Sequence, residues 1–251
     1  MNAISKDVFD EMGDAFFRAA EDDEVKVIVV AGAGDNFCSG HDLGSKEVKE
    51  TEKESPRPDN PWGMVKYSET YMWNFAMNLR NLGKPTIAMV QGYCIMGGLK
   101  LATCCDIIIA SEDAKFADRA VRWGGTNIQY TTFFWDIGPR KAKEYLWTGD
   151  FIDGKEAWRL GMVNRVVPRE SLEAETTKLA KRIALNEPLA LRLSKAAINN
   201  AVDIMGQTAA ARASYFMDAL GNAYVRKSRP EGAPRGIESA RERDKRFNEQ
   251  Q

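Results

Sequence analysis

The sequence predicts an α/β fold with parallel strands, followed by a helical C-terminal region. Three observations carry this. Short apolar, largely β-branched runs at 25–31, 85–90 and 106–110 have the composition of strands buried on both faces. Helical segments separate these runs, which is the pattern of βαβ units. From Pro139 onward the periodicity is mostly helical.

Taken in order, Ser5 is positioned to cap a first helix ending near 22, with Val8, Phe9, Met12, Phe16 and Phe17 on one stripe. The run 25–31 is the first strand, and 32–43 is a glycine-bearing loop. Residues 44–60 are highly charged and hold two prolines, which predicts a surface loop. An aromatic-rich helix is expected at 62–82, then a strand at 85–90 and a turn at Gln91-Gly92. Gly97-Gly98 open a helix reaching about Cys105, and 106–110 is the third strand. One more strand, 162–167, is expected among helices at 140–147, 154–160, 171–184, 189–201 and 207–220. The tail, 226–251, is charged, with Ile237 and Phe247 as its few apolar anchors.

The net charge of -1 gives no electrostatic basis for nucleic-acid binding. No run of 18 apolar residues exists, so no membrane span is expected. Residues 1–10 lack a basic stretch followed by an apolar core, so no secretory signal is expected and a cytoplasmic location follows. Cys38, Cys94, Cys104 and Cys105 form no CxxC pair and are expected to be reduced thiols.

Two segments carry the chemistry. The first is Asn36-Phe37-Cys38-Ser39-Gly40-His41-Asp42-Leu43, after a buried strand. The second runs from Gln91-Gly92 through Met96-Gly97-Gly98-Leu99-Lys100 to Ala102. Two glycines at a helix start let backbone approach a ligand closely, and N–H groups there face negative charge. A second N–H from another loop would complete an oxyanion hole, a contribution of roughly 3–4 kcal/mol to catalysis. Other chemistries fit less well. Gly98 stands where a P-loop needs lysine. Ser39 lacks the GxSxG context. No His/Cys/Asp cluster has metal-ligand spacing.

Together with residues 110–116, 146–150 and 157–163, these segments resemble the crotonase (enoyl-CoA hydratase/isomerase) superfamily. In that superfamily an FxAGxDL loop and a GGG-headed helix supply two amides to a CoA thioester oxygen. The resemblance covers nearly the whole chain. It implies a crotonase-like spiral of ββα units, with an acyl-CoA-binding core at 1–190 and a helical trimerisation region at 191–251. It implies a homotrimer or hexamer acting on an acyl-CoA thioester, with coenzyme A as part of the substrate, no separate cofactor and no metal. On the same resemblance, the N–H groups of His41 and Gly97 are the oxyanion donors. Cys38, Gly40, Asp42, Leu43, Gly98, Lys100, Ala120, Arg122 and Trp123 are the substrate-binding candidates. The segment 44–62 lies where the family shapes its acyl pocket.

The sequence departs from the family at the acid/base positions. Hydratases carry glutamates where this chain has Lys100 and Ala120, and Ile128 fills a further carboxylate position. Asp118 and Tyr130 remain as proton-transfer candidates. Lys100 could stabilise an enolate, bind an acyl carboxylate, or pair with Asp118 or Asp106. The family's acyl-CoA decarboxylases also carry a Gly-His-Asp loop, although Asn127 stands where their tyrosine would be. Three readings therefore stay open: a hydratase or isomerase with non-standard proton transfer, a decarboxylase or C–C-cleaving enzyme with Lys100 or Arg122 on a carboxylate, and a non-catalytic acyl-CoA-binding protein. Family members also carry a strand pair ahead of the segment that is Asn2-Ala3-Ile4 here, and a sheet without it would have an open border.

Overall fold

The structure, a computed structural model, describes residues 1–42, 61–123, 125, 132–228, 241–242, 244–246 and 249. The loop expected at 44–60, Leu43, Asn127, Ile128, Tyr130, Ile237 and Phe247 lie outside them.

Helix α1 (Lys6–Glu21) starts at Ser5, whose Oγ accepts the N–H of Val8 at 3.2 Å. Phe9 points into the core, whereas Phe17 of the expected stripe is exposed. Strand β1 (Ile28–Ala31) follows. Helix α2 (Pro61–Ser68), a π-helical stretch (Glu69–Asn74) and α3 (Phe75–Arg80) together fill the helix expected at 62–82. Next come β2 (Thr86–Val90), β3 (Tyr93–Ile95), α4 (Gly97–Thr103), β4 (Ile107–Ser111) and β5 (Lys115–Ala117). A 3-10 turn (Ala120–Trp123), α5 (Phe133–Ile137), α6 (Pro139–Thr148), β6 (Ile152–Asp153), α7 (Gly154–Arg159) and β7 (Arg165–Val167) precede the last helices. These are α8 (Leu172–Ala184), α9 (Pro188–Ile204) and α10 (Gln207–Ser228).

Two sheets organise these elements. The first is parallel, in the order β1-β2-β4-β7, and the second is β3-β5-β6. The chain steps from one to the other, β2 to β3 and β4 to β5, before a helix returns it. This is the expected spiral of ββα units. The strands of the second sheet were not anticipated, because Tyr93–Ile95, Lys115–Ala117 and Ile152–Asp153 are too short to show periodicity. β1 is an end strand of the first sheet, and Val29 on it is exposed.

Alternation along the central strands buries both faces of the first sheet. Ile87 and Ile109 pack with Leu172 of α8. Ala88, Val90, Ile108 and Ala110 face the opposite way, into the main core with Phe37, Leu79, Leu99 and Phe116. The last helices are tied to this body by ionic contacts. Arg80 meets Asp203 of α9 at 2.9 Å, and Lys195 meets Asp106 at 2.8 Å. Helix α10 lies against α2 and its π-helical continuation: the Tyr215 hydroxyl donates to Val65 O at 2.8 Å, and Arg212 pairs with Glu69 at 2.6 Å. Among the described residues no helix is long and apolar enough to cross a membrane.

Candidate active site

The two glycine-bearing segments converge at the start of α4. Gly40 has φ 90°, a left-handed conformation that suits glycine. A Cβ there would lie 2.8 Å from Met96 Cβ and 3.3 Å from the Gly97 nitrogen, so the backbones approach as closely as they can. Ile4 fixes the direction of the loop. Its N–H donates to Gly40 O at 2.8 Å, and its carbonyl accepts the Asp42 N–H at 2.9 Å. Ile4 thus bonds the residues on either side of His41, a parallel bridge that turns the main-chain N–H of His41 to the opposite side. The His41 ring lies over Gly97, with Cε1 and Nε2 3.3 Å from where a Gly97 Cβ would be.

Gly98 has a different constraint. A Cβ there would meet Cys38 O at 2.6 Å and Cys38 Cβ at 2.7 Å. Cys38 itself is buried and pairs in strand fashion with Cys94, while its Sγ accepts the Gly40 N–H at 3.3 Å. Burial pushes the Cys38 thiol up to about 11, so it acts as packing and not as a nucleophile at neutral pH. Met96, between β3 and α4, has φ 54°, an unusual conformation for a side-chain-bearing residue.

The end of β5 closes the third side. The Met96 N–H donates to Ala117 O at 2.9 Å, and the Arg119 N–H donates to Met96 Sδ at 3.3 Å. These two bonds bracket Asp118 and hold it beside the start of α4. Asp118 Oδ1 accepts the Ala120 N–H at 3.0 Å, and both residues are buried. Lys100 lies one turn into α4, on the same side as Gly97, and is only 9% exposed. Burial lowers its pKa, while Asp218, then Cys104 and Asp118, act in the opposite sense. Asp106, one of the partners considered for Lys100, instead receives Lys195.

The remaining candidates are distributed as follows. Asp42 is partly buried and anchors the loop through its N–H to Ile4. Arg122 is turned to Asp150 and to Thr148 O, with Asp244 at 3.5 Å. Trp123 ends the 3-10 turn that begins at Ala120. The unexpected member is Asp218, 1% exposed on α10. Nothing in its helical context distinguishes it from a solvent-facing aspartate, since it is 118 positions from Lys100 in the chain.

Residues 1–249 match the family model described as Enoyl-CoA hydratase/isomerase. The chain belongs to the enoyl-CoA hydratase/isomerase family. Within it, EchA13 of Mycobacterium tuberculosis is 39% identical over 237 residues, covering 89% of this chain and 74% of that protein. A crotonyl-CoA hydratase of Syntrophomonas wolfei is 34% identical over 243 residues, covering 92% of this chain and 85% of the relative. Among solved structures, a probable enoyl-CoA hydratase from Mycobacterium smegmatis superposes with TM-score 0.82 at 39% identity, covering 90% of this chain and 88% of the other. An enoyl-CoA hydratase/isomerase from Xanthobacter autotrophicus Py2 gives 0.81 at 29% identity, covering 98% and 90%. The crotonase-family fold expected from the motifs is therefore the fold of this chain.

Proposed function

We propose that this member of the family acts on an enoyl-CoA or related CoA thioester whose acyl group is uncharged, stabilising the thioester enolate with the main-chain N–H groups of His41 and Gly97. The observation that carries this reading is the approach of Gly40–His41 to Met96–Gly97, with the His41 amide turned away from Ile4. First-turn N–H groups such as that of Gly97 have no partner inside their own helix. Two amides on one thioester oxygen withdraw charge from the carbonyl. This makes the β carbon electrophilic and the α proton acidic, which serves both hydration and double-bond shift.

Proton transfer is assigned to Asp118, supported by its position between the bonds that Met96 makes to Ala117 and Arg119. Tyr130 is the other proton-transfer candidate. Asp118→Asn keeps the shape and the acceptor for the Ala120 N–H but removes the ionisable group. It is expected to lower kcat about tenfold or more with little change in KM. An unchanged kcat would return Asp118 to a purely structural role.

The decarboxylase reading requires Lys100 or Arg122 to hold an acyl carboxylate. Burial disfavours the charged form of Lys100, and Asp150 with Thr148 engages Arg122. Little net attraction is left for a substrate carboxylate, which favours the hydratase or isomerase reading. Crotonyl-CoA turnover, followed at its enoyl absorbance, tests this directly. Release of carbon dioxide from a malonyl-type thioester would support decarboxylation, and tight CoA-ester binding without turnover would support a non-catalytic role.

The helical region 191–251 is proposed to form a homotrimer or a hexamer. Leu189, Leu193, Ile198, Ile204 and Met205 are exposed along and just beyond α9, as are Phe216, Met217, Leu220 and Tyr224 on α10. Such an apolar surface marks an interface. Light scattering is expected to return three or six times the protomer mass, and a monomer at micromolar concentration would refute the assembly.

A further inference from the structure

The turn that follows Asp118 carries two buried guanidinium groups, and one carboxylate from the charged tail sits between them. Arg119 is 9% and Arg122 6% exposed. Asp244 Oδ1 accepts Arg119 Nη2 at 2.5 Å and lies 3.5 Å from Arg122 Nη1. The two arginines differ in what else holds them. Arg122 also reaches Asp150, and its Nε donates to Thr148 O at 2.7 Å. The Arg119 guanidinium lies over the ring of Phe151 at 4.6 Å, and among the described residues Asp244 is its one carboxylate partner. A buried charge is unfavourable unless it is paired, and removing one partner of a buried pair leaves the other uncompensated. The Arg119 side chain thus depends on a residue 125 positions further along the chain.

The main chain of Arg119 belongs to the candidate site. Its N–H donates to the sulfur of Met96, the residue before Gly97, at 3.3 Å. Its carbonyl accepts the Arg122 N–H at 3.1 Å, which closes the 3-10 turn. Asp118, the residue before it, is tied to the same turn through the Ala120 N–H at 3.0 Å. A thioether is a weak acceptor, so the bond to Met96 cannot by itself hold the turn against a guanidinium that must move to reach water. We propose that Asp244 is a positioning residue of the reaction: paired with Arg119 and close to Arg122, it locks the turn after β5 so that the Asp118 carboxylate stays beside the start of α4. The tail then serves the active site as well as any assembly surface. This rests on the acyl-CoA reading above and on the assignment of proton transfer to Asp118.

The test is a double-mutant cycle on crotonyl-CoA turnover in the full chain, run well below the thermal midpoint of every variant. Asp244→Ala is expected to lower kcat about tenfold with little change in KM, as follows from displacing a catalytic group. Asp244→Glu, which returns the charge, should recover most of that loss. In an Asp118→Asn background, Asp244→Ala should lower kcat no further, because residues acting through one group are not additive. The same fractional loss in both backgrounds, or an unchanged kcat with only the thermal midpoint lowered, would overturn the proposal and leave the acyl-CoA reading intact. An unchanged kcat in Asp118→Asn alone would also overturn it, since Asp244 would have no proton-transfer group to position. A wild-type chain without turnover of crotonyl-CoA would remove the underlying reading and the role of Asp244 with it. Should Asp244→Ala fail to fold, Asp244→Asn keeps an acceptor for Arg119 without the charge, and a smaller loss with the same dependence on Asp118 is expected. No loss in that variant, or an additive one, would equally rule the proposal out.

Discussion

Replacing Gly97 by proline is expected to lower crotonyl-CoA turnover by roughly 100- to 1000-fold, the cost of losing one oxyanion donor. Gly97 is the first residue of α4, where proline is tolerated because the missing N–H has no partner within the helix. The substitution therefore removes the donor while leaving the helix able to start. Its ring carbons do enter the space beneath His41, so thermal unfolding must be measured alongside turnover. The expected signature is loss of kcat/KM out of proportion to any loss of stability. A folded Gly97→Pro protein with near-normal turnover would remove the oxyanion assignment from this residue. Gly97→Ala is the informative companion. It keeps the N–H but places a methyl group 3.3 Å from the His41 ring, so it should retain much more activity than the proline variant.

Asp136→Asn is expected to stabilise the protein at neutral pH by about 1–3 kcal/mol. Asp136 sits on α5 and accepts the Thr132 hydroxyl at 2.5 Å. Burial raises its pKa from 3.8 to about 6, with the Thr132 bond opposing the rise. The native state therefore binds more protons than the unfolded state between those two values. Stability falls as pH rises through that window, and the whole penalty is present above about pH 6. Asparagine carries no charge and can still accept the Thr132 hydroxyl. The difference between variant and wild type should be small at pH 4 and grow to its full size by pH 7. Urea unfolding at both values measures it. Equal differences at the two pH values, or a variant less stable at pH 7, would show that ionisation of Asp136 does not set this dependence.

Much of the fold was legible in the sequence. Strands β2 and β4 each hold a run of four apolar residues, and their burial on both faces is what such runs encode, whereas β1, expected to be buried in the same way, is an end strand that leaves Val29 and Ala31 exposed. The helices from α6 onward follow their periodicity and caps, as at Asp153, whose side chain accepts the Glu156 N–H at 2.8 Å. The glycine loop and the Gly97-Gly98 pair were legible as chemistry because close backbone approach restricts residue type.

What the tertiary structure alone decided is which groups meet there. β3, β5 and β6 hold two or three residues each, and their identity comes from pairing with one another, not from any periodicity of their own. Gly98 is fixed by the Cys38 backbone, and the direction of the His41 amide by Ile4. Asp218 is the clearest case. By itself it is one acidic residue on a mixed helix, and only the packing of the folded chain around α10 encloses it, with Asn222 Nδ2 donating to its carboxylate at 2.8 Å. Local sequence determines conformation through short-range sterics and hydrophobic spacing. The protonation state of a buried lysine depends on charges that only the folded chain assembles.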